Sequence, residues 1–184
     1  MKARILPALL IAGLATSAAA EDVALSLTDD SAKAQFNTSV NRGELALGGG
    51  YTYHEGSRHI LNLDVHAQGR TALGNLPATA GIGLRTIAFD DDNVNGGAIG
   101  LGGFGKINIP DVPGLSVNGS LHYAPSILSF DDADDMKNIE LSLSYRVIRN
   151  AEVFGGYRFM DVDLDPGKDL TLDEGGMVGI RMFF

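Results

Sequence analysis

From residue 22 to residue 184 the chain keeps one side-chain rhythm, with apolar residues at every second position in ten segments separated by turn residues. Leu61, Leu63, Val65 and Ala67 form one such row; Ile139, Leu141, Leu143, Tyr145 and Val147 form another; Gly176, Val178, Ile180, Met182 and Phe184 form the last. Successive side chains of a strand point to opposite faces, so each segment is a strand with one apolar face. The opposite faces carry Glu44, Asp64, His66, Arg85, Lys106, Asn118, His122, Glu140, Arg146, Glu152, Arg158 and Arg181.

A soluble sandwich would bury the apolar face, whereas a membrane barrel turns it outward to lipid. Three observations favour the barrel. Most segments run about ten residues or more, the length a tilted strand needs to cross a bilayer, while soluble strands cluster near five or six. Many of the 24 glycines fall inside strands, where they let a narrow barrel curve and fill. Mixed Arg and Glu on the polar faces suit an enclosed lumen. The predicted fold is all-β, a transmembrane antiparallel up-and-down barrel of about ten strands, with eight as the alternative if the first two segments form a plug or lid. An even count places both chain ends on the periplasmic side. The outer connections are then residues 28–32, 54–57, 90–96, 124–136 and 164–171, and the inner ones 41–43, 69–77, 110–114 and 148–150. Longer loops therefore lie outside, with residues 69–77 as the exception.

The N-terminus agrees with export. Lys2 and Arg4 precede an apolar run over residues 5–14, and small residues follow up to Ala18-Ala19-Ala20, the pattern of a secretory signal peptide cut before Glu21. Residues 1–20 are thus read as signal peptide and 21–184 as one barrel domain, exported to the bacterial outer membrane. Removing Lys2 and Arg4 from the 14 basic residues leaves 12 against 23 acidic ones, a net charge of −11, which excludes nucleic acid as a natural partner. With no cysteine, there is no disulfide scaffold and no thiolate chemistry. No second apolar run approaches the ~18 residues of a spanning helix.

One hairpin can be aligned from the sequence. A three-residue turn at Ile148-Arg149-Asn150, with Asn150 left-handed, sets Arg146 against Glu152 and Glu140 against Arg158 inside the barrel. Tyr145 then meets Val153, and Leu141 meets Tyr157, on the lipid face. The final segment, apolar on one side and ending in Phe184, resembles the closing strand of bacterial outer-membrane barrels. That resemblance implies recognition by the barrel-assembly machinery through Phe184, and closure against Val23 to Leu27.

A more specific resemblance covers essentially the whole mature chain. His122-Tyr123-Ala124-Pro125-Ser126-Ile127-Leu128-Ser129-Phe130, the following Asp131-Asp132-Ala133-Asp134, Tyr145-Arg146-Val147 and Gly156-Tyr157-Arg158 resemble the YfaZ family of proteobacterial outer-membrane proteins. Asp29-Asp30-Ser31-Ala32 and Val178-Gly179-Ile180-Arg181 are similar as well. The family implies an outer-membrane barrel and contributes no catalytic residues.

Candidate chemistry is sparse. Asp91, Asn93 and Asn95 match the first half of a D-x-N-x-N-G calcium loop, but the twelfth position is Gly102 rather than Glu. Twelve of the 23 acids fall in the outer connections and Asp163 borders one of them, which predicts calcium or magnesium bridging to lipopolysaccharide and no dedicated cofactor. His66 and His122 face inward by parity, and interior hydrogen bonding is the simplest use for them. The lumen charges are expected to be Glu44, Asp64, Arg85, Lys106, Glu140, Arg146, Glu152, Arg158 and Arg181. Residues 124–130, the one apolar outer stretch, are read as extending the neighbouring strand or folding over the mouth. The expected function is non-enzymatic: a structural or surface-interaction barrel in contact with outer-membrane lipid and lipopolysaccharide, or a narrow small-solute conduit. The alternative is a barrel enzyme acting on lipid or peptide at the outer rim.

Overall fold

The computed structural model describes residues 21–91, 94–164 and 168–184, so residues 1–20 lie outside the described residues. The strands, in chain order, are β1 (Asp22–Leu27), β2 (Ser31–Val40), β3 (Leu45–His54), β4 (Arg58–Leu73), β5 (Leu76–Asp91), β6 (Val94–Asn108), β7 (Leu115–Ala124), β8 (Ser129–Asp131), β9 (Ala133–Ile148), β10 (Ala151–Leu164) and β11 (Lys168–Phe183). Ten of them form a closed antiparallel barrel in which each strand pairs with its chain neighbours. Closure runs through β1 and β11, with Val23 opposite Met182 and Leu27 opposite Val178. The Phe184 amide then donates to the Glu21 carbonyl at 3.1 Å. The predicted seam therefore forms, and the even strand number brings Glu21 and Phe184 to one end of the barrel, here termed the inner end.

The wall has the predicted inversion. On β4, Leu61, Leu63 and Val65 are 48%, 57% and 47% exposed, while the intervening Asn62, Asp64 and His66 are 4% to 6% exposed. Exposed leucines over buried charges would be unfavourable in water and are the signature of a lipid-facing barrel. The narrow interior closes because large side chains lie over glycines. Phe104 covers Gly81 and Phe154 covers Gly179, where a Cβ would sit 2.4 to 2.5 Å from the ring above it, and on the outward face Phe130 likewise covers Gly97.

The connections differ from the expected contrast, because hydrogen-bonded strands run into stretches that the turn residues suggested were loops. At residues 69–77, β4 and β5 continue pairing to Leu73 opposite Leu76, leaving a two-residue turn with Gly74 at φ +61°. Beyond Gln68 this hairpin projects past β3, which ends opposite Ala67. At the outer end β5 and β6 pair as far as Asp91 opposite Val94. The turn between β9 and β10 is also tighter than expected. Ile148 pairs with Ala151, a bulge follows, and Asn150 is not among the residues with left-handed backbone. The predicted partners are nevertheless met: Arg146 opposite Glu152, Glu140 opposite Arg158, Tyr145 opposite Val153 and Leu141 opposite Tyr157.

The stretch after Ala124 extends a neighbouring strand rather than folding over the mouth. A short helical turn (Ser126–Leu128) leads into β8, which pairs with Gly96 to Ala98 of β6 above the end of β7.

Candidate functional site

The lumen has two contrasting layers. On β4, β5 and β9 the apolar residues of the buried cluster lie nearer the outer end than the charged ones, and on β10 Met160 and Val162 do so although Phe154 sits lower, between Glu152 and Arg158. Ile60 precedes Asn62, Asp64 and His66 on β4; Ile87 and Phe89 follow Arg85 on β5; Met136 precedes Asn138, Glu140 and Ser142 on β9; Met160 and Val162 follow Glu152 and Arg158 on β10. With Ala98, Ala124, Leu164 and Leu172 these residues form one buried cluster across the outer lumen. Ile87, Met136 and Leu172 are fully buried. Ile60, Ile87, Met136 and Met160 share the inward parity of the charged residues, so the alternation alone does not separate the two layers.

Under the part of the wall formed by β1 and β2, the cluster gives way to an ion pair. Arg158 and Asp173 are each 1% exposed, with Nε 2.7 Å from Oδ2 but without hydrogen-bond alignment, so the attraction is mainly coulombic. Ser31 joins them, donating from its hydroxyl to Asp173 at 2.8 Å and accepting from Arg158 at 3.2 Å. The charges desolvated there are thus matched by an opposite charge and by hydroxyls.

Below these layers lies a polar cavity of about 260 Å³, lined from Glu21, Asp22 and Ser39 near the inner end up to His66 and His122. Its walls hold compensated charges. Arg85 Nε donates to Asp64 Oδ1 at 2.5 Å, and Arg85 Nη1 donates to Asn138 at 2.7 Å. Lys33 lies 3.5 Å from Glu140. Glu152 is 2% exposed and gathers three cations: Arg181 at 2.8 Å, Lys106 at 3.2 Å and Arg146 at 3.9 Å. Arg181 also reaches Asp22 at 3.4 Å. Arg146 is more exposed than its partner and stacks over Phe183, 4.5 Å from the ring centre.

Of the residues expected in the lumen, Asp64, Arg85, Lys106, Glu140, Glu152, Arg158 and Arg181 are brought into these contacts, with Arg146 at the inner margin. Glu44 is not. It is exposed in the turn before β3, where its amide donates to the Asn41 carbonyl and its own carbonyl accepts from Gln68. The strand begins one residue later than the alternation suggested, so Glu44 has no inward face. The pairing of Arg158 also differs from its register neighbour: Glu140 opposes it across the strands, yet its ion-pair partner is Asp173 on β11. Asp22, Lys33 and Asp173 complete the network. Lys33 was recoverable from the parity of β2, whereas Asp22 and Asp173 sit at segment margins where the rhythm is weak.

The calcium reading does not fit the hairpin. Asn93 lies outside the described residues. Asp91 is engaged by Arg58, at 2.8 Å from Nη2, and Asn95 is a ladder residue opposite Asp90. A calcium loop needs some twelve residues folded around the ion, but here the chain has entered β6 at Val94. No group of three metal-binding carboxylates or histidines occurs among the described residues. Of the remaining histidines, His54 Nδ1 meets the Glu55 carbonyl and His59 Nδ1 meets the Tyr51 hydroxyl, both on exposed surface.

His66 and His122 are buried and meet Nε2 to Nε2 at 2.8 Å at the head of the cavity. His66 also stands edge-on to Phe104, 5.3 Å between ring centres.

Among solved structures, the chain is similar to the outer membrane channel DcaP of Acinetobacter baumannii, with 9% identity and a TM-score of 0.45, covering 88% of this chain and 54% of that one. It is also similar to a bacterial polysaccharide outer membrane secretin, with 10% identity, TM-score 0.45, and 84% and 56% coverage. An anion-selective porin from Comamonas acidovorans matches at 16% identity and TM-score 0.22, over 83% of this chain and 59% of the porin. The chain thus spans little more than half the length of these proteins. No curated protein matches it. The family described as "YfaZ precursor" matches residues 1–184. The chain belongs to the YfaZ family.

Proposed function

We propose that this chain is a non-conducting outer-membrane barrel, a structural element whose outer rim meets lipopolysaccharide and whose polar cavity opens toward the periplasm. The observation that carries this reading is the apolar layer around Ile87, Met136 and Leu172, which fills the outer lumen above the cavity. Ions do not cross a dry apolar layer without a compensating polar path, and narrow barrels are filled by side chains, whereas aqueous pores require many more strands. The lipid-facing rows of β4, β9 and β11 and the chain's family support the outer-membrane location.

Single-channel recording in planar bilayers tests the proposal. The unmodified barrel is expected to show no discrete conductance steps. The triple variant Ile87→Gly/Met136→Gly/Leu172→Gly, which removes the apolar layer, is expected to conduct. Reproducible steps from the unmodified barrel would overturn the reading in favour of a small-solute conduit.

A further inference from the structure

The polar cavity is not lined evenly. In the ladder Gly81 on β5 is opposite Phe104 on β6, Phe104 is opposite Ser120 on β7, and Ser120 is opposite Glu140 on β9. One rung of the wall therefore presents a phenyl ring, a hydroxyl and a carboxylate side by side, on strands about 4.8 Å apart. The Phe104 ring stands edge-on to His66, 5.3 Å between centres. Ser142 shares the face of Glu140 on β9, one step nearer the inner end. Lys33 reaches Glu140 from β2, at 3.5 Å. Above these residues His66 and His122 meet over Gly83 and Gly102, closing the head of the cavity.

The polar groups on this wall are unused, in contrast to the hydrogen-bonded Arg85 and Asp64 above them. Lys33 is 8% exposed, yet among the described residues its ammonium has no polar partner closer than Glu140 and no aligned hydrogen bond. The Glu140 carboxylate accepts none, and the hydroxyls of Ser120 and Ser142 have no partner among the described residues. An ammonium has three protons to give and a carboxylate accepts only, so both look to whatever occupies the cavity. Groups of this kind are costly to leave unmet.

We infer that this wall is a binding site for a small neutral polyhydroxy compound, of the size of one sugar ring, which enters from the inner end. The inference rests on the cavity opening toward the periplasm, as in the proposed function. Two neighbouring hydroxyls suit an ion pair that is close but not joined. One accepts from Lys33 while the other donates to Glu140, and the two charges stay together. Ser120 and Ser142 add hydrogen bonds, and Phe104 offers an apolar surface to the C–H face of a sugar. Charge balance selects a neutral ligand. Four carboxylates and four cations line the cavity, so a ligand with net charge would bring an unmatched charge into a narrow lumen. The volume of about 260 Å³ equals the liquid share of roughly nine waters, which is room for a single ring.

The test uses the mature barrel refolded in a polyoxyethylene detergent, whose headgroup is neither sugar nor zwitterion. D-glucose, D-galactose and D-mannose are titrated separately, with glycine and acetate as zwitterionic and anionic probes, and binding is read by saturation-transfer-difference NMR. At least one hexose should bind saturably in the millimolar range, and glycine and acetate should not. Glu140→Gln and Ser120→Ala/Ser142→Ala should each weaken hexose binding by about tenfold, with heat-modifiable migration on gels confirming that each variant folds. If a variant fails to fold, the choice of the unmodified barrel among the probes still decides. No saturable hexose signal from the folded barrel overturns the inference. So does binding of glycine or acetate in preference to every hexose, or hexose binding unchanged in a folded variant. Conductance steps together with hexose binding would sink only the proposed function, and silence without hexose binding only this inference.

Discussion

The outer and inner halves of the lumen are built on the same wall and the same side-chain alternation, yet they are filled by opposite chemistry. In the outer half Ile87, Met136 and Leu172 belong to one buried apolar cluster. In the inner half every described cation of the cavity wall faces a carboxylate, and space remains between them. Apolar side chains gain by filling a volume, because an atom that faces a void has no neighbour there to attract it. Charged side chains gain by being paired while staying close to water. A narrow barrel can thus be sealed at one end and open to solvent at the other without any change in its backbone.

The sharpest way to break this contrast is at the boundary between the halves. Arg158→Ala leaves Asp173 buried beside Ser31 with no cation, a loss of about 3 to 5 kcal/mol. Denaturant unfolding followed by gel migration should show it. Restoring shape without charge, in Arg158→Met/Asp173→Leu, should recover most of the loss, and no recovery would mean that the pair does more than compensate itself. Within the sealed half, Ile87→Ala should cost about 3 kcal/mol through reduced burial and a residual cavity, and this cost should be insensitive to salt. A smaller effect is expected in the open half. Glu152→Gln removes the carboxylate shared by Arg181, Lys106 and Arg146, two of them partly exposed, and should cost about 1 to 3 kcal/mol, varying with ionic strength because water and ions reach the cavity. If the Ile87 and Glu152 variants respond equally to salt, the two halves are not distinct environments.

Much of the wall is legible in the sequence. The alternation identifies the strands, their lipid faces and the closing pair of β1 and β11, because a period of two is a local property of the backbone. One turn and one pair of strands suffice to align Arg146 with Glu152. The site is less legible. Ile60, Ile87 and Met160 have the correct parity for the interior, but parity alone does not tell a sealed layer from a wet one. Glu44 shows the opposite limit: its spacing fits the rhythm, yet it falls in a turn where hydrogen bonds to Asn41 and Gln68 end the strand.

By itself the sequence determined that this chain closes into a barrel with apolar rows outward and charges inward, since each segment states its own two faces. Only the tertiary structure decided which inward residues meet. Arg158 passes its register neighbour Glu140 to reach Asp173, and His66 reaches His122 across two glycines. Those meetings depend on the stagger of several strands added together and on the space that large and small side chains leave between them. No single segment encodes that sum, so the chemistry of the lumen appears only when the wall is closed.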